Sequence, residues 1–386
     1  MSYLQDAKTL ITLYKTTKEL KELFDRVISS NTITVDNKVR LFLDIRGMFI
    51  NLHDRPGNLL LVNYYKAGNN IYSNIIVNTI NSWFSYFKGK NIDCEIIGFA
   101  ETGSSEYHEE LLENEYKIAR KKQRNKIPES ERVIGKKYIN EQLKNLQMTF
   151  NVIGSQAIVV TSDSLEIDCT TQFIKTLNND PKYINFIFTK DKDMCQTLDD
   201  NTYIVRKKIR GKYELIDKHS GSMMLKLTKS IDHRLYSLAL SLIGDTADSI
   251  HGLKGAGPVL VSNFLESNGK AILNSEGDTI LEQMYNHLEN NTLDSYGVKV
   301  KKILEKDDLK TKFDISYKCV DFDNIIECNI EELENSIGKY YNKIIHGKTD
   351  DPDTMSGKKS WMTKRFMVKH DCTNELEYAY ILNNIK

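Results

Sequence analysis

The sequence predicts an α/β fold around a mostly parallel sheet flanked by helices. Three observations carry this. Short apolar runs rich in branched and aromatic residues recur at Val39–Ile45, Ile92–Ala100, Ala157–Thr161 and Tyr183–Thr189. Helix-compatible segments, among them Ser73–Phe87 and Ile167–Leu177, lie between them. An acid stands at or just past the end of every run. Strands alternating with helices favour parallel pairing, and ligands of such sheets sit beyond the carboxyl ends of the strands.

In chain order, residues 1–30 place Leu10, Leu13, Tyr14, Leu20, Leu23 and Phe24 at helical spacing, which predicts one or two helices. Ser29–Asn37 is a polar break. The run VRLFLDI reads as a buried strand carrying Asp44. The second run holds Cys94, Ile96, Ile97 and Phe99 and ends at Glu101. Residues 105–150 are polar and charged and read as a helical insertion. AIVVT precedes Glu166 and Asp168, and YINFIFT leads into Asp191 and Asp193. Asn201–Leu227 has strand character about Gly211-Lys212, so a hairpin is expected. From Asp232 onward the pattern is helical, through Leu235–Leu242, Val259–Ser267 and Asp278–Leu293. The expected units are an N-terminal helical extension at 1–38, an α/β domain at 39–235, a helical region at 236–295, and an extension of unassigned role at 296–386.

Bulk properties narrow the function. With 386 residues, 40% apolar and 27% charged, the chain is expected to be soluble and globular. No apolar run reaches the roughly 18 residues of a membrane span, and charges interrupt the N-terminal apolar stretch, so an intracellular protein is expected. The six cysteines form no CxxC pair or zinc spacing and read as reduced thiols. Basic and acidic side chains balance at 53 each, which by itself counts against a nucleic-acid binder. The basic residues are clustered, however, at Lys117–Lys126, Arg206–Lys212 and Lys358–Lys369.

The densest signal is LIGDTADSIHGLKGAGP at Leu242–Pro258. Asp245 and Asp248 lie within one turn of backbone and can share a divalent cation. The glycines that follow leave backbone N–H groups free to face a phosphate. A metal site beside a phosphate cradle points to phosphodiester chemistry. The full acidic series is Asp44, Glu101, Glu166, Asp168, Asp191, Asp193, Asp245 and Asp248. So many carboxylates in one pocket would repel and take up protons without cations between them. Two magnesium ions roughly 4 Å apart would resolve the repulsion and suit attack on a phosphodiester. The eight histidines are scattered and no nucleophile turn is present, which argues against a serine or cysteine hydrolase.

The order LFLDIRG, GFAETG, EYKIARKKQR, SLEIDC, TKDKDMCQ and GDTADSIHGLKGAG resembles the flap endonuclease and 5′-exonuclease family. The resemblance covers about residues 40–265. It implies a PIN-like nuclease domain, a helical arch at about 105–150 and a helix–three-turn–helix element that binds duplex DNA. It implies a two-metal 5′ nuclease, acting as exonuclease, flap endonuclease or both, that removes primers or flaps in replication and repair. Glu101, Glu166 and Asp168 would hold the first magnesium, with Asp44 reaching it through water. Asp191, Asp193 and Asp245 would hold the second, with Asp248 behind, and manganese would serve as a substitute. Lys117 and Arg120 would face the scissile phosphate, Tyr116 would stack on a base or else pack on its own helix, and Lys121, Lys122 and Arg124 would guide the strand. Gly252, Lys254, Gly255 and Gly257 would face the duplex backbone, with a potassium ion at the turn. The expected partners are DNA with 5′ ends or flaps and RNA/DNA hybrids, and the expected state is a monomer. The sequence departs from the family pattern in having Glu at 101, Cys at 169, and Pro258-Val259 after the hairpin. A PIN-type ribonuclease would explain the acids but not the glycine turn. A non-catalytic DNA-binding replication protein on the same fold is the alternative from another class.

Overall fold

A computed structural model describes residues 18–30, 38–45, 80–101, most positions in 105–144, 157–177, 183–207 and 213–337, apart from positions 81, 163, 166 and 307. Helix α1 (Lys18–Ser30) buries Leu20, Phe24 and Val27, one stripe at three- and four-residue spacing. The four apolar runs are strands β1 (Lys38–Asp44), β2 (Asp93–Glu101), β3 (Ala157–Ser162) and β4 (Tyr183–Phe188). Helix α2 (Glu106–Leu111) follows β2, and α3 (Thr170–Leu177) follows β3 through a 3-10 turn at Ile167–Cys169. Strands β5 (Thr202–Lys207) and β6 (Tyr213–Ile216) pair antiparallel, as the two arms of the expected hairpin, while Gly211-Lys212 lie outside the described residues.

The sheet order is β3-β2-β1-β4-β5-β6. Pairing is parallel from β3 to β5, and β6 alone runs antiparallel. The central strands β1, β2 and β4 are buried almost without a break, as strands covered on both faces must be. Alternate residues then feed two cores. Leu41, Leu43, Ile96, Phe186 and Phe188 face α1 and Trp83. Phe24 meets Phe186 edge-on at 4.7 Å, and Trp83 stacks on Phe188 at 4.7 Å.

The opposite face, with Phe42, Ile97, Phe99 and Ile187, packs under the helical half of the chain. That half comprises α4 (Gly221–Met224), α5 (Tyr236–Ile243), a two-residue ladder of β7 (Gly244–Asp245) and β8 (Ile250–His251), and α6 (Pro258–Ile272). Helices α7 (Ile280–Asn290), α8 (Ser295–Leu304), α9 (Leu309–Val320) and α10 (Phe322–Cys328) complete it. Their starts are written in the sequence. Proline opens α6 at its first turn. Thr279 and Glu282 form a capping box on α7, and Asp294 and Asp321 cap α8 and α10. Phe313, Tyr317 and Phe322 join the same apolar cluster as Phe42 and Phe99, so the segment through Ile337 is built into the core.

Candidate functional site

The sheet topology brings the strand-end acids to one edge. Asp44 closes β1 and Glu101 closes β2, and both are half-buried. Just past β4, the Thr189 hydroxyl donates to Asp44 Oδ2 at 3.1 Å and accepts the Asp191 N–H at 3.0 Å. Asp191 Oδ1 in turn accepts the Asp193 N–H at 3.0 Å. Thr189 thereby ties the β1 acid to the β4 acids. Asp168 lies half-buried in the 3-10 turn after β3. Glu166 lies outside the described residues.

The GDTAD acids arrive from the helical half. Asp245 sits in β7 and Asp248 in the turn that returns to β8. Within this turn Asp245 Oδ1 accepts the Ala247 N–H at 2.9 Å, and the Asp245 carbonyl accepts the Asp248 N–H at 3.2 Å. The Lys192 ammonium bridges from the β4 side to Asp245 Oδ2 at 3.3 Å.

Asp193 is the electrostatic centre. Its Oδ1 is sealed from solvent and has no hydrogen-bond partner among the described residues. Burial pushes its carboxyl well above the usual carboxylate range, and the charges of Asp191, Asp245 and Asp248 push it further, with Lys192 opposing. One ammonium against four acids leaves a charge deficit and an oxygen without a donor, a set that fits a divalent cation. Among the described residues no three His, Cys, Asp or Glu side chains come together as a ready metal-ligand group. Two ammoniums instead lie on the acids, Lys192 on Asp245 and Lys117 on Glu101.

Lys117 is the best-placed basic residue. Its Nζ lies 3.2 and 3.4 Å from the two Glu101 oxygens and 4.5 Å from the Tyr116 ring centroid. Its backbone adopts φ +55°, a left-handed conformation that a side chain bearing a Cβ rarely takes. Two hydrogen bonds hold it there. The Lys117 N–H donates to the Asp248 carbonyl at 2.9 Å, and the Ile118 N–H donates to Ser249 Oγ at 3.1 Å. Ser249 is itself left-handed, at φ +65°. The start of the 105–150 segment is thus docked on the turn that carries Asp245 and Asp248.

The base-stacking role expected for Tyr116 is corrected by its surroundings. The ring is 1% exposed and stacks on His108 at 4.6 Å, so it has no open face for a base. His108 belongs to α2 and binds the Cys319 carbonyl of α9 through Nε2 at 2.7 Å. A carbonyl only accepts, so Nε2 carries the proton and Nδ1 accepts from Ser105 Oγ at 2.7 Å. Lys121 pairs with Glu109 at 2.6 Å, and Lys122 is exposed. Arg120 and Arg124 lie outside the described residues.

The glycine turn divides into two parts. Gly244 and Gly252 press backbone against backbone. A Cβ on Gly244, at φ +80°, would stand 2.2 Å from the Gly252 nitrogen, and one on Gly252 would stand 2.3 Å from the Ile243 carbonyl carbon. Gly252 therefore serves the crossing of the turn and is half-buried, away from the open surface expected for it. Lys254, Gly255 and Gly257 are exposed. Gly255 needs its missing side chain for φ +99°, whereas Gly257 has open space around it. Gly257 caps α6, so this face presents the amino end of a 15-residue helix.

Sequence reasoning missed Thr189, Lys192, Ser249 and His108. None is acidic or glycine, and each acts through contacts with distant residues.

No family model and no curated protein matches the sequence. The structure is similar to that of a variant of the bacteriophage T5 flap endonuclease in a pseudo-enzyme-product complex with DNA and metal ions. The TM-score is 0.54 at 16% identity, over 80% of this chain and 98% of that one. The T5 5′-exonuclease with zinc bound gives a TM-score of 0.54 at 15% identity over the same shares. The T5 protein co-crystallised with metal ions gives 0.53 over 84% of this chain and 99% of that one. The likeness establishes the fold: a PIN-like, flap endonuclease-like sheet flanked by helices.

Proposed function

We propose that this protein is a divalent-metal-dependent 5′ nuclease that hydrolyses phosphodiester bonds near duplex junctions, as exonuclease or flap endonuclease, in primer or flap removal. The observation that carries the reading is Asp193: a buried carboxylate oxygen with no donor among the described residues, in the field of Asp191, Asp245 and Asp248. The T5 structures with divalent metal and with DNA support the same chemistry on this fold.

Asp191, Asp193 and Asp245, with Asp248 behind, would hold one divalent ion. Glu101, Glu166, Asp168 and Asp44 would hold the other. When bound, such ions lower the pKa of water and stabilise charge on the leaving oxygen. The protein side chains do the rest. Lys117, fixed by its backbone bond to Asp248, offers its ammonium to a phosphate oxygen that competes with Glu101. Gly255, Gly257 and Lys254 take the duplex backbone at the amino end of α6, and Lys121 and Lys122 guide the single strand. Magnesium is the ion we assign, with manganese able to replace it and potassium at the glycine turn. We assign a monomer. We also keep the division into a nuclease domain at 39–235 and a helix–three-turn–helix region at 236–295.

A second reading has an observation of its own. Lys192 lies on Asp245 and Lys117 on Glu101, and no ready metal-ligand group is present among the described residues. These features favour a DNA-binding protein that keeps the fold without the chemistry. One assay separates the two: cleavage of a labelled 5′-flap DNA with and without magnesium, beside the double variant Asp191→Asn/Asp193→Asn. Magnesium-dependent cutting lost in the variant is expected. Intact duplex binding with no cutting in magnesium or manganese would leave the second reading.

A further inference from the structure

We propose that α8 and the turn after it extend the phosphate-facing surface of the glycine turn, through a row of lysines at 299, 302 and 306. This inference rests on the nuclease reading above and assigns a role to a segment that the sequence left without one.

The contact that places α8 is Ile303. Its Cδ1 would lie 3.7 Å from a Cβ built on Gly255, so the helix flanks the glycine turn directly. At 100° per residue, Lys299 lies one turn before Ile303 on nearly the same face, and Lys302 lies to one side of it. Lys306 lies one turn later, where its N–H closes on the Ile303 carbonyl at 3.2 Å. Lys299, Lys302 and Lys306 are all exposed, as is Lys254 in the turn.

Among the described residues, Lys254, Lys302 and Lys306 form no ion pair, and Lys299 lies 5.6 Å over the Tyr296 ring. Elsewhere the half-buried Lys218 is neutralised by Asp200 and the exposed Lys229 by Glu266, while the exposed Lys226 and Lys270 have no ion pair among the described residues, so it is the shared face beside the glycine turn that sets this row apart. Glu305 lies about 160° around the helix from Ile303. Lys301 also points away, donating to the Leu288 carbonyl at 3.0 Å. From Lys299 to Lys306 the rise is about 10 Å, roughly three phosphates of one strand at 3.4 Å each. A polyanion of regular spacing complements such a row, and its continuity with Lys254 makes that polyanion duplex DNA.

The row is also held rigidly. Asp294 caps α8 by accepting the Tyr296 and Gly297 N–H groups at 3.0 and 2.7 Å. It also accepts from Asn268 of α6 at 3.0 Å. Val300 and Leu304 sit in the core. On the other flank, Ser316 of α9 donates to the His251 carbonyl at the start of the turn. The lysine row and the amino end of α6 therefore present one fixed surface.

The test is equilibrium binding of the full-length protein to a short labelled duplex DNA in EDTA, from about 50 to about 200 mM salt. The variants are Lys299→Ala/Lys302→Ala/Lys306→Ala, Lys301→Ala and Lys254→Glu. The triple variant is expected to weaken binding about tenfold or more and to lower the log–log salt slope by about 2 to 3, near 0.9 per lost phosphate contact. Lys301→Ala is expected to leave both unchanged. Weakening by Lys254→Glu with no change of slope in the folded triple variant would overturn the lysine row and leave the nuclease reading standing. No duplex binding by the wild-type protein would overturn both.

Discussion

The backbone N–H of Lys117 donates to the carbonyl of Asp248 at 2.9 Å. This bond spans 131 positions of sequence and joins a basic residue of the expected arch to the last acid of the GDTAD turn. It fixes the Lys117 backbone, and the ammonium is placed by its own contacts to Glu101 and the Tyr116 ring. Removing that ammonium should therefore cost rate more than fold. Lys117→Met is expected to lower single-turnover flap cleavage by about a hundredfold or more, the scale of losing one charge-stabilising donor. Duplex affinity measured in EDTA should change little.

Asp193 gives a pH prediction with a definite sign. Its carboxyl is raised in the folded protein, so over the pH range between its unfolded and folded values the folded state holds a proton that the unfolded chain has lost. That contribution is fully present below the unfolded carboxylate range and is lost as pH rises through the folded value. Metal-free wild type should thus lose stability toward neutral pH relative to Asp193→Asn. The variant should be more stable by about 1 kcal/mol near pH 8, as read by urea unfolding at several pH values. The comparison between the two proteins isolates this group from Asp199, Asp217 and Asp232, whose lowered values slope the other way.

Magnesium should reverse the same penalty. At a hundredfold excess over its Kd, an ion that binds only the folded protein adds about 2.7 kcal/mol. A rise in Tm of several degrees is expected for wild type at neutral pH, and a much smaller one for Asp191→Asn/Asp193→Asn. Equal rises in the two proteins would place the ion elsewhere.

The glycines of the turn should separate by mechanism. Gly252→Ala drives a methyl into the Ile243 carbonyl carbon at 2.3 Å, backbone against backbone, and is expected to cost about 3 kcal/mol or more. Gly257→Ala meets nothing within 4 Å and should be nearly neutral in stability. Denaturant midpoints of the two variants check this ordering.

Tyr116 is a packing residue and should behave as one. Tyr116→Ala is expected to cost about 3 to 5 kcal/mol, as for other large buried rings. Tyr116→Phe, which keeps the stack on His108, should preserve DNA affinity. A loss of affinity in Tyr116→Phe without loss of stability would restore a direct nucleic-acid role.

The strands were legible because each apolar run is short, bounded and rich in branched or aromatic side chains. Lys38–Asp44 and Tyr183–Phe188 differ from the expected bounds by a residue or so at their ends. The acids were legible because parallel strands deliver their ends to one edge, but that Asp44 lies near Asp191 follows from the pairing of β1 with β4, which chain order does not give. Contacts that only folding creates were not legible. Nothing local marks Tyr116 as the partner of His108, or Ile303 as the neighbour of Gly255. The helices beyond Ser295 carry no acid or glycine motif that would mark a role, yet Phe313 and Tyr317 complete the core under Phe42 and Phe99.

The pairing of β2 with β3 has a consequence for how this chain can change. Glu101 faces Ser162 across neighbouring parallel strands, which lie about 4.8 Å apart. The polypeptide that leaves β2 and returns to β3 thus has both ends clamped by the sheet. Loop-closure entropy grows only with the logarithm of length, so doubling that excursion adds about 0.6 kcal/mol. That small entropic cost applies to inserted residues; trimming that removed His108, Tyr116 or Lys117 would also strip the contacts to Cys319, Glu101 and Asp248. Mutation can vary the length of this connection while the acidic edge at the ends of β1, β2 and β4 stays fixed.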